Sequence, residues 1–187
     1  MTVNYKYNDK TQLTEHFNVS EFRCKCGGNH DIIINAELPE KLEKLFTALN
    51  CSKIIINSGY RCQSQDKAVG GSGTGHHVYG NAVDIVCFDQ NNNKISSKIV
   101  SCIAQDIGFG GIANIDSSYT ATHVDVRTSN FWHGDEVVSS AFSVNPFDFY
   151  SYYKINKSDI YQNTAKKSAN VILTVDGKTF CGTLTEK

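Results

Sequence analysis

An α+β fold is the class this sequence predicts. Two segments with helical spacing of apolar residues alternate with short runs of strand character, and clusters of Gly, Asn and Asp separate them. Residues 1–12 are polar and read as extended. Ser20 stands where it can cap a short helix beginning at Glu21. Pro39 suits the first turn of a helix running to about Leu49, with Leu38, Leu42, Leu45 and Phe46 on a face that should pack on a sheet. Lys53 to Asn57 reads as a strand with Ser58-Gly59-Tyr60 as its exit, and Ser64 to Val69 as a short helix that positions a glycine-rich loop. Asn81 to Phe88 alternates and ends in Asp-Ile-Val-Cys-Phe, a strand pattern. Asp89-Gln-Asn-Asn-Asn93 is a turn. Ser96 or Ser97 caps a helix to about Ile107, with Ile99, Cys102, Ile103 and Ile107 inward. Gly108-Phe-Gly-Gly-Ile112 leads to another strand, and Thr120 to Val126 returns as a further one.

Beyond Asp135 the pattern changes. Residues 136–169 are rich in Ser, Asn, Lys and Tyr and read as a packing tail followed by a linker. Between Val171 and Leu184 two short alternating runs flank Asp176-Gly177, the preferred turn of a type I′ hairpin. A lone hairpin is marginal in water, so this one either docks on the main domain or begins a truncated module. The expected organisation is one main domain over 1–144, a tail or linker over 145–169, and a hairpin over 170–187.

The 187 residues are 40% hydrophobic and 20% charged, which suits a globular chain of one domain and an appendage. The formal net charge of −1 gives no basic field to favour nucleic acid. No apolar run approaches the roughly 18–20 residues of a membrane span, and the first ten residues lack the apolar centre of a signal peptide. A monomer is expected. The seven cysteines are odd in number, and with no signal peptide free thiols are the default expectation. Cys87 and Cys102 look like core residues. Cys24-Lys-Cys26-Gly-Gly is more suggestive, because with Cys62 or His30 it would make a second, structural zinc site; plain thiols remain the preferred reading.

The chemistry concentrates in Gly75-His-His-Val-Tyr-Gly-Asn-Ala-Val-Asp84 and in Thr122-His-Val-Asp125. His77, Asp84 and His123 offer two nitrogens and a carboxylate, a set that suits zinc and leaves a fourth position for water. Asp84 would sit on a strand, His77 in the loop before it, and His123 on a second strand. A carboxylate inside an apolar strand needs a partner or a metal. A lone histidine, by contrast, is more often a surface or satisfied core residue than a ligand.

These motifs resemble those of the zinc D-Ala-D-Ala carboxypeptidases and L-alanyl-D-glutamate endopeptidases that cut peptidoglycan stem peptides, many of them phage lysins. The resemblance rests on the ordered set Asn18-Val-Ser-Glu-Phe22, Ile56-Asn-Ser-Gly-Tyr-Arg61, Val69-Gly-Gly71, His-x-x-Gly-x-Ala-x-Asp over 77–84, and His123-Val-Asp-Val-Arg127, and it covers about residues 13–135. It implies a hedgehog-like α+β fold, a small antiparallel sheet with flanking helices. It also implies one catalytic Zn2+ held by His77, Asp84 and His123, and a peptidoglycan peptide as partner, with no nucleic acid and no membrane. The expected location follows: synthesis in the cytoplasm with lysin-like release to the cell wall, or a trimmed form of a secreted protein.

One departure concerns the general base. Relatives place an acid three residues before the last ligand or a histidine two before it, where this chain has Thr120 and Ala121. Asp125, on the same strand face as His123, is the strongest remaining candidate, although a role in orienting a ligand is slightly preferred for it. Asp116 and His76 are weaker. Arg61 matches the substrate-gripping arginine of the family, since a guanidinium can hold a carboxylate with two hydrogen bonds. Ser58, Tyr60 and Trp132 are further substrate-binding candidates. The sequence thus points to a zinc peptidase with either terminal or internal bond specificity. The alternative is a non-catalytic zinc-containing wall-binding or phage structural module.

Overall fold

The structure is a computed structural model; it describes residues 1–142 and 148–160 and the strands 168–175 and 178–185. Two compact units divide the chain, Met1–Phe149 and Tyr150–Lys187.

In the first unit, β1 (Thr2–Tyr5) pairs antiparallel with β2 (Ile32–Asn35). Between them a single 3-10 turn covers Val19–Phe22 and buries Val19 and Phe22. The sequence reading starts a helix at Glu21 under a Ser20 cap; instead Asn18 is the cap. Its side chain accepts from the Ser20 N–H at 3.1 Å, while Glu21 accepts from the Asn18 N–H at 2.7 Å. This reciprocal box satisfies the exposed amides two residues earlier than expected. β2 has no counterpart in the sequence reading.

Helix α1 (Glu37–Ala48) buries Leu38, Leu42 and Leu45, and α3 (Ser97–Ile107) buries Val100, Cys102 and Ile103. Ser96 caps α3 with its hydroxyl oxygen, as its position predicts. The helices α1 and α3 pack on one another, α1 also against β2 and α3 against two strands of the main sheet. Between them in sequence lie β3 (Lys53–Ser58), the short α2 (Gln63–Ala68) and β4 (Ala82–Phe88).

The main sheet continues with β5 (Gly111–Asn114), β6 (Thr122–Asp125), β7 (Trp132–Asp135) and β8 (Ser139–Phe142). Its order is β3-β4-β6-β5-β7-β8. All pairings are antiparallel except β5 with β7. The α+β class is therefore as expected, with a larger, mixed sheet beside the small antiparallel one. β7 and β8 carry the sheet past the point where the sequence reading ends it. Asp135 is fully buried there, accepting from the Asn114 side-chain amide at 3.1 Å.

β4 is enclosed on both faces: Ala82 to Cys87 are all buried. Strands covered on both faces read as nearly continuous apolar runs, so Asp84 is conspicuous within it. α4 (Phe149–Tyr153) is a helical turn in a stretch read as linker. In the second unit, β9 (Ser168–Val175) and β10 (Lys178–Thr185) form the expected hairpin, with Val175 paired to Lys178. The Asp176-Gly177 turn lies outside the described residues.

Candidate metal centre

Register brings the site together. In the β4–β6 ladder Asp84 and His123 are direct cross-strand partners. On the other side of β4, an irregularity between Ile56 and Ser58 pairs Ser58 with Asp84 and turns the chain towards Arg61. His77 arrives from the loop before β4. That loop is held by main-chain bonds at both ends: Arg61 N–H donates to the His77 carbonyl at 3.2 Å, and Asn81 N–H to the His76 carbonyl at 2.9 Å.

Three ligand-type atoms converge. His77 Nε2 lies 3.3 Å from Asp84 Oδ1 and 3.3 Å from His123 Nδ1, and His123 Nδ1 lies 3.0 Å from Asp84 Oδ1. A tetrahedral zinc with bonds of about 2.0–2.1 Å would have ligand–ligand edges of about 3.3–3.4 Å. The triangle fits that face of a tetrahedron to within a few tenths of an ångström.

Each of the three is oriented from behind. His77 Nδ1–H donates to the Gly59 carbonyl at 2.8 Å, which leaves the Nε2 lone pair facing inward. His123 Nε2–H donates to Asp125 Oδ2 at 3.2 Å, which leaves Nδ1 inward. Arg61 Nη2 donates to Asp84 Oδ2 and leaves Oδ1 for the centre. Such outer partners fix the tautomer and ring angle of metal-binding histidines. Gly59 owes its place to close packing: a Cβ there would collide with the Phe22 backbone, and Tyr60 N–H donates to the Phe22 carbonyl at 2.7 Å.

The charges are strongly coupled. Burial works against ionised Asp84, yet the hydrogen bonds from His123 and His77 hold its carboxyl well below the usual range. Burial also works against charge on His123, but the hydrogen bonds to Asp125 and Asp84 outweigh it and raise the imidazole to about 9.

Asp125 does not face the opening. It is fully buried, and besides His123 it takes Arg127, whose Nε donates to Oδ1 at 2.8 Å. Its carboxylate fits there because residue 111 is glycine, whose absent Cβ would overlap it. Burial opposes its charge, and the hydrogen bonds from His123 and Arg127 hold it ionised far below its ordinary value. Arg61 gives one N–H of each nitrogen to the protein: besides Nη2 to Asp84, Nε donates to Ser58 Oγ at 2.8 Å and Nη1 reaches Asp66 Oδ1 at 3.4 Å, which leaves two of its five N–H groups.

A cleft of about 590 Å³ opens on the triad, and His76, Trp132, Arg127 and Glu136 line it with Arg61. Trp132 stands edge-on to His123, ring centres 5.8 Å apart. Ser58 and Tyr60 are not among the lining residues. Ser58 braces Arg61, and half-buried Tyr60 sits near Cys62, Cys24 and Cys26, with burial pushing its hydroxyl up. Asp116 is committed to its own turn, accepting from the Thr120 and Ala121 amides at 2.8 and 2.7 Å. His76 is different: its buried Nδ1 has no hydrogen-bond partner, and burial lowers its pKa below the usual 6.5.

Two residues with a part in the cleft were not singled out from sequence. Buried Asp66 accepts from Gly73 N–H at 2.8 Å and so folds the glycine-rich loop over the cleft rim. Glu136 follows β7 directly. The family model described as Peptidase M15 matches residues 15–125, a span that takes in His77, Asp84 and His123 and more than half of the chain. The chain belongs to the peptidase M15 family. M15 proteins are metallopeptidases, so this chain carries a metallopeptidase domain with a peptide as its substrate class. Comparison with curated proteins and with solved structures returns no match for this M15 chain. No helix among the described residues is long and apolar enough to cross a membrane.

Proposed function

We propose that His77, Asp84 and His123 hold one catalytic zinc ion and that the chain hydrolyses stem peptides of peptidoglycan. The observation that carries this reading is the triangle of ligand atoms with edges of 3.0–3.3 Å, each member braced by its own outer partner. A zinc ion bound there supplies a Lewis acid for the scissile carbonyl and a water whose pKa falls towards about 7. The wall substrate rests on the resemblance of the ordered motifs, above all His-x-x-Gly-x-Ala-x-Asp followed by His-Val-Asp.

The chain's own residues divide the remaining work. Asp125 acts through His123 as a positioning residue, keeping the imidazole in one tautomer. Arg61 locks Asp84 and, from the cleft wall, meets a carbonyl or carboxylate of the bound peptide. Trp132 gives the peptide a flat apolar surface to lie against. His76 takes the proton from the attacking water: its ring lines the cleft, and burial keeps it neutral. Ser58 supports Arg61 rather than the substrate, and Tyr60 belongs to the opposite side of the same turn.

The test is release of new amines from purified peptidoglycan, with mass spectrometry of the products, before and after chelation and zinc restoration. Zinc-dependent release is expected, and the fragment masses distinguish terminal D-Ala-D-Ala cleavage from cleavage of an internal stem bond. Bound zinc without release from several wall types would overturn the peptidase and favour a wall-binding module.

A further inference from the structure

On the far side of the Arg61 turn lies a second group of metal-binding side chains. The bond from Tyr60 N–H to the Phe22 carbonyl draws the segment after Phe22 against the start of α2. Cys24 Sγ comes to 3.7 Å from Cys62 Sγ, and Cys26 Sγ lies within 4.8 Å of both. His30 Nε2 lies 2.9 Å from Cys26 Sγ. Two main-chain amides point at the sulfurs: Cys62 N–H donates to Cys24 Sγ and Gly28 N–H to Cys26 Sγ, each at 3.3 Å.

The spacing speaks against a disulfide, whose sulfurs sit about 2.0 Å apart. It suits a shared ion. Tetrahedral zinc with Zn–S bonds of about 2.3 Å separates its sulfurs by about 3.8 Å. His30 Nε2 touches Cys26 Sγ but does not lie within 4.8 Å of all three sulfurs, so this exposed loop histidine would swing towards Cys24 and Cys62 to become the fourth ligand. Three sulfurs and one nitrogen close a coordination shell and leave no open position, the mark of a structural rather than a catalytic centre.

We propose that Cys24, Cys26, His30 and Cys62 form a Cys3His site that binds a structural zinc ion. This site clamps the N-terminal segment to the turn over residues 58–62. That turn presents the Gly59 carbonyl to His77 and the Arg61 guanidinium to Asp84. The second ion would therefore steady the catalytic triad without touching substrate.

The test uses the reduced full-length chain. Metal analysis should find two zinc ions per chain, falling to one in Cys26→Ser and to one in His123→Ala. Replacing zinc with cobalt should give the near-ultraviolet thiolate-to-cobalt charge-transfer band, which a centre of two histidines and a carboxylate lacks. That band should persist in His123→Ala and vanish in Cys26→Ser. If Cys26→Ser does not fold, His30→Ala, which changes a surface residue, should weaken the band. Absence of the band in the reduced wild-type chain, or its survival unchanged in Cys26→Ser, would overturn the proposal. So would a Cys24–Cys62 disulfide in the chain as purified, before reduction, seen as the loss of two hydrogens by mass. The His123→Ala arm keeps this outcome separate from that of the peptidase site.

Discussion

Asp84 and His123 face each other as register partners on β4 and β6, with Oδ1 and Nδ1 3.0 Å apart. Neither is placed by a flexible loop, so the distance between them is a property of the sheet. Replacing Asp84 with Asn keeps the shape but removes the charge that both histidines and Arg61 address. Asp84→Asn should lose bound zinc and peptidase activity together, by more than the roughly 10–100-fold that loss of an outer partner costs. Metal analysis alongside hydrolysis of a stem peptide measures both; full activity in zinc-free Asp84→Asn would remove this residue from the site.

Asp125 offers a sharper division. As a positioning residue its loss should act through metal affinity. Asp125→Asn is expected to weaken zinc binding by about 10–100-fold and to recover activity when zinc is added. A base would behave otherwise, with turnover reduced about 10²- to 10⁴-fold at any zinc concentration. Activity titrated against free zinc separates the two.

His76 should show the opposite behaviour. His76→Ala is expected to keep its zinc and lose about 10²- to 10⁴-fold in kcat. If kcat stays within a few-fold of wild type at full zinc loading, Glu136 becomes the group to substitute next.

Proton and metal compete for His123. Its imidazole is raised from 6.5 to about 9 in the metal-free site, so a zinc ion held there as proposed would displace a proton over much of the neutral range. Apparent zinc affinity should therefore climb as pH rises from about 6.5 to 9, with proton release measurable by calorimetry in buffers of different ionisation enthalpy. The stability of the metal-free chain carries the converse sign. The raised pKa of His123 contributes stability that is fully present below about 6.5 and is lost as pH rises through about 9.

Gly111 tests the packing behind the site. A methyl group there would overlap the Asp125 carboxylate, which is fully buried and cannot retreat into solvent. Gly111→Ala should destabilise the chain by about 1–3 kcal/mol and also loosen zinc, because Asp125 no longer meets His123 squarely. Denaturant midpoints and zinc affinity, measured on the same variant, should move together.

Much of this architecture was legible because its signals are local. Ser96 before Ile99, Cys102 and Ile103 announces α3, and the apolar run interrupted only by Asp84 announces β4. The Asp176-Gly177 pair between alternating runs announces the hairpin. What escaped depends on distant partners. β2 exists because Thr2–Tyr5 lies beside it, and four residues carry too little pattern to declare a strand. Asp66 belongs to no motif; its role appears only when the glycine loop folds back onto α2. The preference for plain thiols at Cys24 and Cys26 followed from the lack of a second Cys pair in sequence. Cys62 and His30 are named as their possible partners in the sequence reading; what it does not show is the Phe22–Tyr60 contact that brings the sulfurs of Cys24 and Cys62 together.

The β4–β6 ladder also makes the site intolerant of changes in chain length. Side chains alternate faces along a strand, so one residue added between Ala82 and Asp84 would send the carboxylate to the opposite face from His123. Such a chain would keep every ligand in its composition and have nowhere to assemble them. Insertions in the turn between Asn114 and Thr122, by contrast, leave the ladder untouched. Natural length variation in this lineage should therefore collect in that turn and spare the seven residues of β4.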